Sequence, residues 1–199
     1  MFMHRHRWAI LAILLGAFSL PVNPLARAQQ VEEIDEQPGV EPGALELPAP
    51  LRKQVVFYRT TEAPGTIVVV TAERYLYVVL GNNRALRYGI GVGRDGFQRL
   101  GLLKVTRKAE WPDWTALPEM LTRQPDLLRY MAGGPGNPLG ARALYLGNTV
   151  CRIHGTNQPQ TIGQSVSSGC FRLVNGDAID LYDRTPIGAK VIVQQAPET

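Results

Sequence analysis

Cys151, Cys170 and the three histidines, His4, His6 and His154, are the side chains of this 199-residue sequence best suited to nucleophilic or metal chemistry. His154 opens the run HGTNQPQTIGQSVSSGC and Cys170 closes it 16 positions later. A thiol with a free pKa of roughly 8.5 is mostly protonated at neutral pH, so a nucleophilic cysteine needs a base beside it or a field that favours the thiolate. His4 and His6 lie in a basic, apolar leader, which leaves His154 as the one imidazole able to serve. Gly169, directly before Cys170, admits a backbone geometry in which successive N–H groups point into a cavity, as stabilising an oxyanion requires.

The elements around these residues must bring them together. TVCRIH reads as a strand with Val150, Arg152 and His154 on one face and Cys151 and Ile153 on the other. Gly155 breaks that strand, a Gly-, Ser- and Thr-rich loop returns the chain to Cys170, and FRLV resumes as a strand. Three other readings compete. A Cys151–Cys170 disulfide suits an exported chain, and Cys151, His154 and Cys170 make a three-ligand zinc set, but the alternation turns Cys151 away from a Cys170 that faces His154. Two unrelated core residues are the third reading, against which the surrounding glycines and serines argue. No metal or organic cofactor is expected.

Elsewhere QVVFYR, TIVVVT, RYLYVVL, RALRYGIGVG, GLLKVTRK, ALYLG and KVIVQ read as short strands rich in Val, Ile and Tyr. Gly81, Asn82 and Asn83 tolerate the positive φ of a tight hairpin. Two helices fit: one around PEMLTRQPDLLRYM, interrupted at Pro125, and NGDAIDLYDRT, with Asn175 as its N-cap and Asp177 in its first turn. The expected fold is mostly β, a largely antiparallel sandwich or barrel with one or two accessory helices.

MFMHRHR, the 13-residue apolar run Trp8 to Leu20 and LARA read together as a cleaved signal peptide over 1–28, too short in its apolar part to span a bilayer. Residues 29–50 carry six acids, no base and four prolines, and read as a linker. Residues 51–199 hold 18 Lys+Arg against 11 Asp+Glu, a balance of +7, in a single domain. Such a surface favours anionic partners such as cell-wall polymer, and export to the periplasm or cell envelope argues against nucleic acid and against an integral span after signal cleavage.

HGT at 154–156 and SSGCFRL at 167–173, followed by Asn175 and the LYDR helix, resemble the signature of the L,D-transpeptidase catalytic domain, also called the YkuD domain. GIGVGR at 89–94, KVTRKAEWPDW at 104–114 and GGPGNPLGARALYLG at 133–147 extend the resemblance over roughly 55–195. It implies a β sandwich or barrel and an enzyme acting on peptidoglycan stem peptides. Cys170 would attack the carbonyl before the terminal D-alanine, with His154 as general base and then general acid. The carbonyl of Gly155 would orient the ring, and backbone N–H groups around Gly169 and Cys170 would hold the oxyanion. An amine on a second stem, or on a cell-envelope protein, would take the acyl group. Ser168 fills a slot where many relatives carry a second histidine, and with Gly155 and Gly169 it is counted among the orienting or oxyanion residues.

Several residues carry more than one reading. Arg172 shares the face of Cys170, where it could hold a substrate carboxylate, favour the thiolate, or bridge to Asp177 or a carbonyl. Ser167 is read as fixing the loop through its own backbone. Trp114, with Trp111, either walls the substrate groove or packs on the sheet. Resolution of the thioester by water would make the enzyme an L,D-carboxypeptidase or amidase, and a noncatalytic peptidoglycan-binding domain is the reading from another class.

Overall fold

The computed structural model describes residues 47–94 and 100–196. The leader 1–28 and most of the acidic segment 29–50 lie outside the described residues. Thirteen strands and two helices follow in order: β1 (Gln54–Phe57), β2 (Ile67–Val70), β3 (Tyr75–Gly81), β4 (Arg84–Gly89), β5 (Val92–Gly93), β6 (Gly101–Glu110), β7 (Trp114–Thr115), α1 (Pro118–Arg123), β8 (Tyr130–Met131), β9 (Arg142–Leu146), β10 (Arg152–His154), β11 (Ser165–Ser167), β12 (Phe171–Arg172), α2 (Asn175–Arg184) and β13 (Lys190–Gln194).

Nine of these strands form one sheet in the order β1-β4-β3-β2-β13-β6-β9-β10-β12. The sheet curls back on itself: Gly91 and Arg172 exchange backbone hydrogen bonds of 3.0 and 2.9 Å, joining β12 to the chain just after β4. Ile67, Val69, Leu76 and Tyr88 from one half pack with Leu144, Ile153, Phe171 and Val193 from the other to make the main core. β2 is buried on both faces, because Val68 and Val70 point to a second cluster with Tyr77 and Val79, which explains its unbroken apolar run IVVV. The hairpin between β3 and β4 turns through Gly81, Asn82 and Asn83, all at positive φ.

The mostly β expectation holds, with a difference in strand direction. β2–β13 and β10–β12 are parallel, so the nine-stranded sheet is mixed, and the separate β5–β11 pair is parallel too. Parallel neighbours need a connection of about a dozen residues or more, and the 16 residues between His154 and Phe171 supply one. The expected first helix is shorter than its apolar pattern: α1 stops at Arg123, because Pro125 drives Gln124 out of helical geometry. The chain beyond it pairs β8 with β7 around a small separate cluster of Trp114, Ala116 and Leu139.

α2 forms over the expected residues, yet Asn175 does not cap it. Val174 occupies the cap position with no side-chain bond. The Asn175 side-chain oxygen instead accepts the N–H groups of Ala141, at 2.9 Å, and Thr156, at 3.2 Å. Midway along, α2 is tied to the sheet by Asp180, which accepts the Tyr88 hydroxyl at 2.5 Å and pairs with Arg184 and Lys53.

Candidate active site

Parallel pairing of β10 with β12 sets Ile153 opposite Phe171 and His154 opposite Arg172. Strand alternation then sends Cys151, Ile153 and Phe171 into the main core, while Arg152, His154, Cys170 and Arg172 line a cleft open to solvent. The opposite wall comes from the β7–α1 segment, through Trp114, Leu117 and Met120, and from Pro138 and Leu139 of the Gly/Pro loop.

His154 is buried, and its Nδ1 lies 2.5 Å from the Gly155 carbonyl oxygen. A carbonyl can only accept, so Nδ1 carries the proton and Nε2 is left with the lone pair. The Cys170 sulfur is within hydrogen-bond reach of that imidazole. Gly155 is required here on steric grounds, since a Cβ would run into the Asn175 side-chain oxygen. Asn175 thus fixes both the Gly155–Thr156 turn after the imidazole and the Gly140–Ala141 turn beside it.

The Cys170 thiol is held well below its ordinary pKa. A hydrogen bond from the Cys151 thiol is the largest cause; burial pulls the other way, and the hydrogen bond and charge of His154 and the charge of Arg152 add to the lowering. Cys151 lies in the core as strand alternation requires, yet it is close to the Cys170 sulfur, contrary to the expectation that it is turned away from Cys170. Gly169, at φ 108°, bends the chain so that the Cys151 sulfur under the sheet approaches both the Gly169 carbonyl, at 3.2 Å, and the Cys170 sulfur. Its single S–H serves one acceptor at a time, and the thiolate is the stronger. Both cysteines are free thiols. Among the described residues no three of His, Cys, Asp and Glu converge as metal ligands would.

The Ser167 hydroxyl donates to the Cys170 carbonyl at 2.6 Å and accepts the Gly169 N–H at 3.2 Å. That second bond occupies the Gly169 donor expected for an oxyanion. Arg172 is buried, its Nη1 lies 3.5 Å from the Thr161 hydroxyl, and burial pushes its pKa down to about 10. Trp114 is buried in the small cluster and also borders the cleft, whereas Trp111 is exposed and does not line it. Ser168 lines the cleft and accepts hydrogen bonds from two arginines, Arg94 and Arg123.

A sequence profile of the L,D-transpeptidase catalytic domain, YkuD, matches residues 64–193. The chain belongs to the YkuD family. It is 36% identical over 143 residues to the probable L,D-transpeptidase ErfK/SrfK of Escherichia coli (strain K12), covering 69% of this chain and 46% of that protein. It is 32% identical over 138 residues to the putative L,D-transpeptidase YqjB of Bacillus subtilis (strain 168), covering 65% of this chain and 72% of that one. The chain spans about half the length of several curated relatives it matches. In fold it is similar to an L,D-transpeptidase from Mycobacterium smegmatis, with a TM-score of 0.52 and 17% identity over 65% of this chain and 58% of that one.

Four features of this YkuD domain escape a reading of its sequence: Asn175 as a pin for two loops, Cys151 as a partner of Cys170, and Arg94 and Arg123 on Ser168. Arg94 is 74 positions and Arg123 is 45 positions from Ser168, beyond the reach of any local pattern. Only Asn175 left a signal, since an Asn at a helix start is as suited to binding N–H groups of a neighbouring loop as to capping its own.

Proposed function

We propose that this protein is an exported L,D-transpeptidase that acts on peptidoglycan stem peptides in the periplasm or cell envelope. The observation that supports the reading is the bond of His154 Nδ1 to the Gly155 carbonyl, which leaves the Nε2 lone pair free to act as a base toward the neighbouring Cys170 thiol. Nε2 takes the thiol proton, and the thiolate attacks the carbonyl carbon that precedes the terminal D-alanine. The C–S bond forms, the C–N bond breaks, and the imidazolium returns its proton to the departing amine. An acceptor amine then attacks the thioester. The new C–N bond forms, sulfur leaves as thiolate, and the proton lost by the amine passes through His154 back to the thiol. The product is a 3-3 crosslink or a related acyl amide.

The Cys170 N–H makes no backbone hydrogen bond among the described residues and is the donor assigned to the oxyanion. A donor of this kind contributes about 2.7–4 kcal/mol in acyl-transfer enzymes. Gly169 acts through its backbone bend rather than through its N–H, and Ser167 holds that bend. Trp114 and Leu139 supply an apolar wall that limits water, which favours an amine over water as acceptor.

Intact-protein mass spectrometry after incubation with a stem tetrapeptide tests the first half-reaction. The expected adduct has the mass of the peptide less D-alanine and is absent from Cys170→Ala. Product analysis separates the second half: crosslinked dimer supports transfer, and tripeptide alone supports an L,D-carboxypeptidase. Equal turnover by Cys170→Ala and wild type would remove the mechanism.

A further inference from the structure

The two cysteines meet more closely than acyl transfer requires. Cys170 is half-buried and borders the cleft, whereas Cys151 is buried in the main core. Cys151 Sγ lies 3.2 Å from the carbonyl oxygen of Gly169, the residue before Cys170, and Cys170 Sγ lies 3.6 Å from that of Val150, the residue before Cys151. Each sulfur thus rests against the backbone that carries the other. The strand register agrees: Ile153 opposite Phe171, continued to the strand ends, sets Cys151 beside Gly169, so the two cysteines are offset by one residue on neighbouring strands. One strand spacing and one residue rise put their Cα atoms about 6 Å apart, inside the range that a disulfide spans. An accessible nucleophilic sulfur with a second thiol at its back is the arrangement of a reversible thiol–disulfide couple.

We propose that Cys151 and Cys170 form a redox-modification site, in which a disulfide oxidant reacts at Cys170 and Cys151 resolves the product into a reversible internal bridge. The oxidant meets Cys170 first, because of the two sulfurs only that one borders the cleft. The Cys170 thiolate attacks one sulfur of the oxidant: a new S–S bond forms, the oxidant's own S–S bond breaks, and the departing thiolate takes the proton that His154 removed from Cys170. The Cys151 thiol then gives up its proton and attacks the Cys170 sulfur. The internal S–S bond forms, the mixed disulfide breaks, and a second thiol leaves with that proton. The protein loses two electrons and two protons, and one disulfide becomes two thiols. A dithiol reverses both steps. A bridged sulfur has no lone thiolate with which to attack a carbonyl, so oxidation halts acyl transfer; this consequence, unlike the bridge itself, rests on the acyl-transfer reading of Cys170. The proposed export puts the pair in a compartment where disulfides persist, so the couple makes crosslinking respond to the thiol supply there.

The test follows thiols and acylation separately on the full chain. Exposure of wild-type protein to oxidised glutathione, quenched in acid, should remove both titratable thiols, leave the protein monomeric and lower its intact mass by two hydrogens with no glutathione retained. Proteolysis should then yield a peptide pair joined through Cys151 and Cys170. Cys151→Ala and Cys151→Ser should instead keep glutathione on Cys170, since no second thiol displaces it, and melting curves confirm that both variants are folded. Acylation by a stem tetrapeptide should be lost as the bridge forms and should return with dithiothreitol. Wild-type protein that keeps glutathione on Cys170 with Cys151 still titratable, that keeps both thiols, or that links two copies through Cys170 overturns the redox site. The two readings fail separately: acylation of the reduced protein without an internal bridge sinks the redox site alone, whereas a reversible bridge in a protein that is never acylated supports the redox site and removes the proposed reaction.

Discussion

The barrel that carries Cys170 and His154 and the lid that faces them are built in different ways. On the barrel side every reactive group sits at the end of a strand whose alternate residues, Cys151, Ile153 and Phe171, are buried in the main core. Backbone hydrogen bonds from Gly91 to Arg172 and from Leu173 to His154 hold those strand ends from both sides. The lid is a two-stranded ladder, a six-residue helix and a cluster with only three buried residues. A segment with so small a core opens at a lower cost than the barrel unfolds. His154 and Cys170 are placed on the well-buried part, and the facing wall of the cleft is placed on the part with the smaller core.

Five tests, from the largest expected effect to the smallest, sharpen that contrast. Cys170→Ala should lower acyl transfer by roughly a thousandfold or more while leaving the urea unfolding midpoint nearly unchanged, since the reactive side chain adds little to the core. Phe171→Ala, one residue on but pointing inward, should cost about 3–5 kcal/mol of stability, whereas Met120→Ala in the lid should cost about 1 kcal/mol or less. Equal losses from both would erase the distinction between the two regions.

Asn175→Ala leaves the Ala141 and Thr156 N–H groups without their acceptor and should cost about 1–3 kcal/mol. It should also lower kcat, because the His154–Gly155 turn loses its anchor; a change in stability with unaltered kcat would show the pin to be structural only. Cys151→Ala removes the hydrogen bond that most favours the thiolate, so the pH profile of Cys170 alkylation should move to higher pH. Below the pKa the alkylation rate should fall about tenfold for each unit of that movement.

The smallest effect is read from pH and lies away from the cleft. Burial works against ionisation of Asp180, but hydrogen bonds from Arg184, Tyr88 and Lys53 outweigh it and hold the carboxyl at about 2. Its unfolded value is about 3.9, so the stabilisation is present above that pH and is lost as pH falls from there through 2. Asp180→Asn should therefore be less stable than wild type near neutrality, and the two melting temperatures should converge in acid. A gap that persists at pH 2 would mean the contribution is not the ionised carboxylate.

Much of this was legible in the sequence for local reasons. Alternation in TVCRIH put His154 and Arg152 on one face, the Gly81–Asn83 run called the hairpin, and HGT with SSGCFRL pointed to the family. Alternation rightly put Cys151 on the core face but missed its approach to Cys170, because it describes a flat strand and not the bend at Gly169 that brings the two sulfurs together. Asn175 looked like a cap because its distant partners at Ala141 and Thr156 leave no periodic trace.

By itself the sequence determined the strands, the family and the pairing of one imidazole with one thiol, because those depend on side-chain period and on short motifs read within a single segment. Only the tertiary structure decided which nitrogen of His154 is held by the Gly155 carbonyl, which N–H the Ser167 hydroxyl occupies, and that Arg94 and Arg123 meet at Ser168. Hydrogen bonds between segments depend on angles and distances of a few ångströms, which are set by how the sheet closes and the lid packs, and no local pattern of residues carries them.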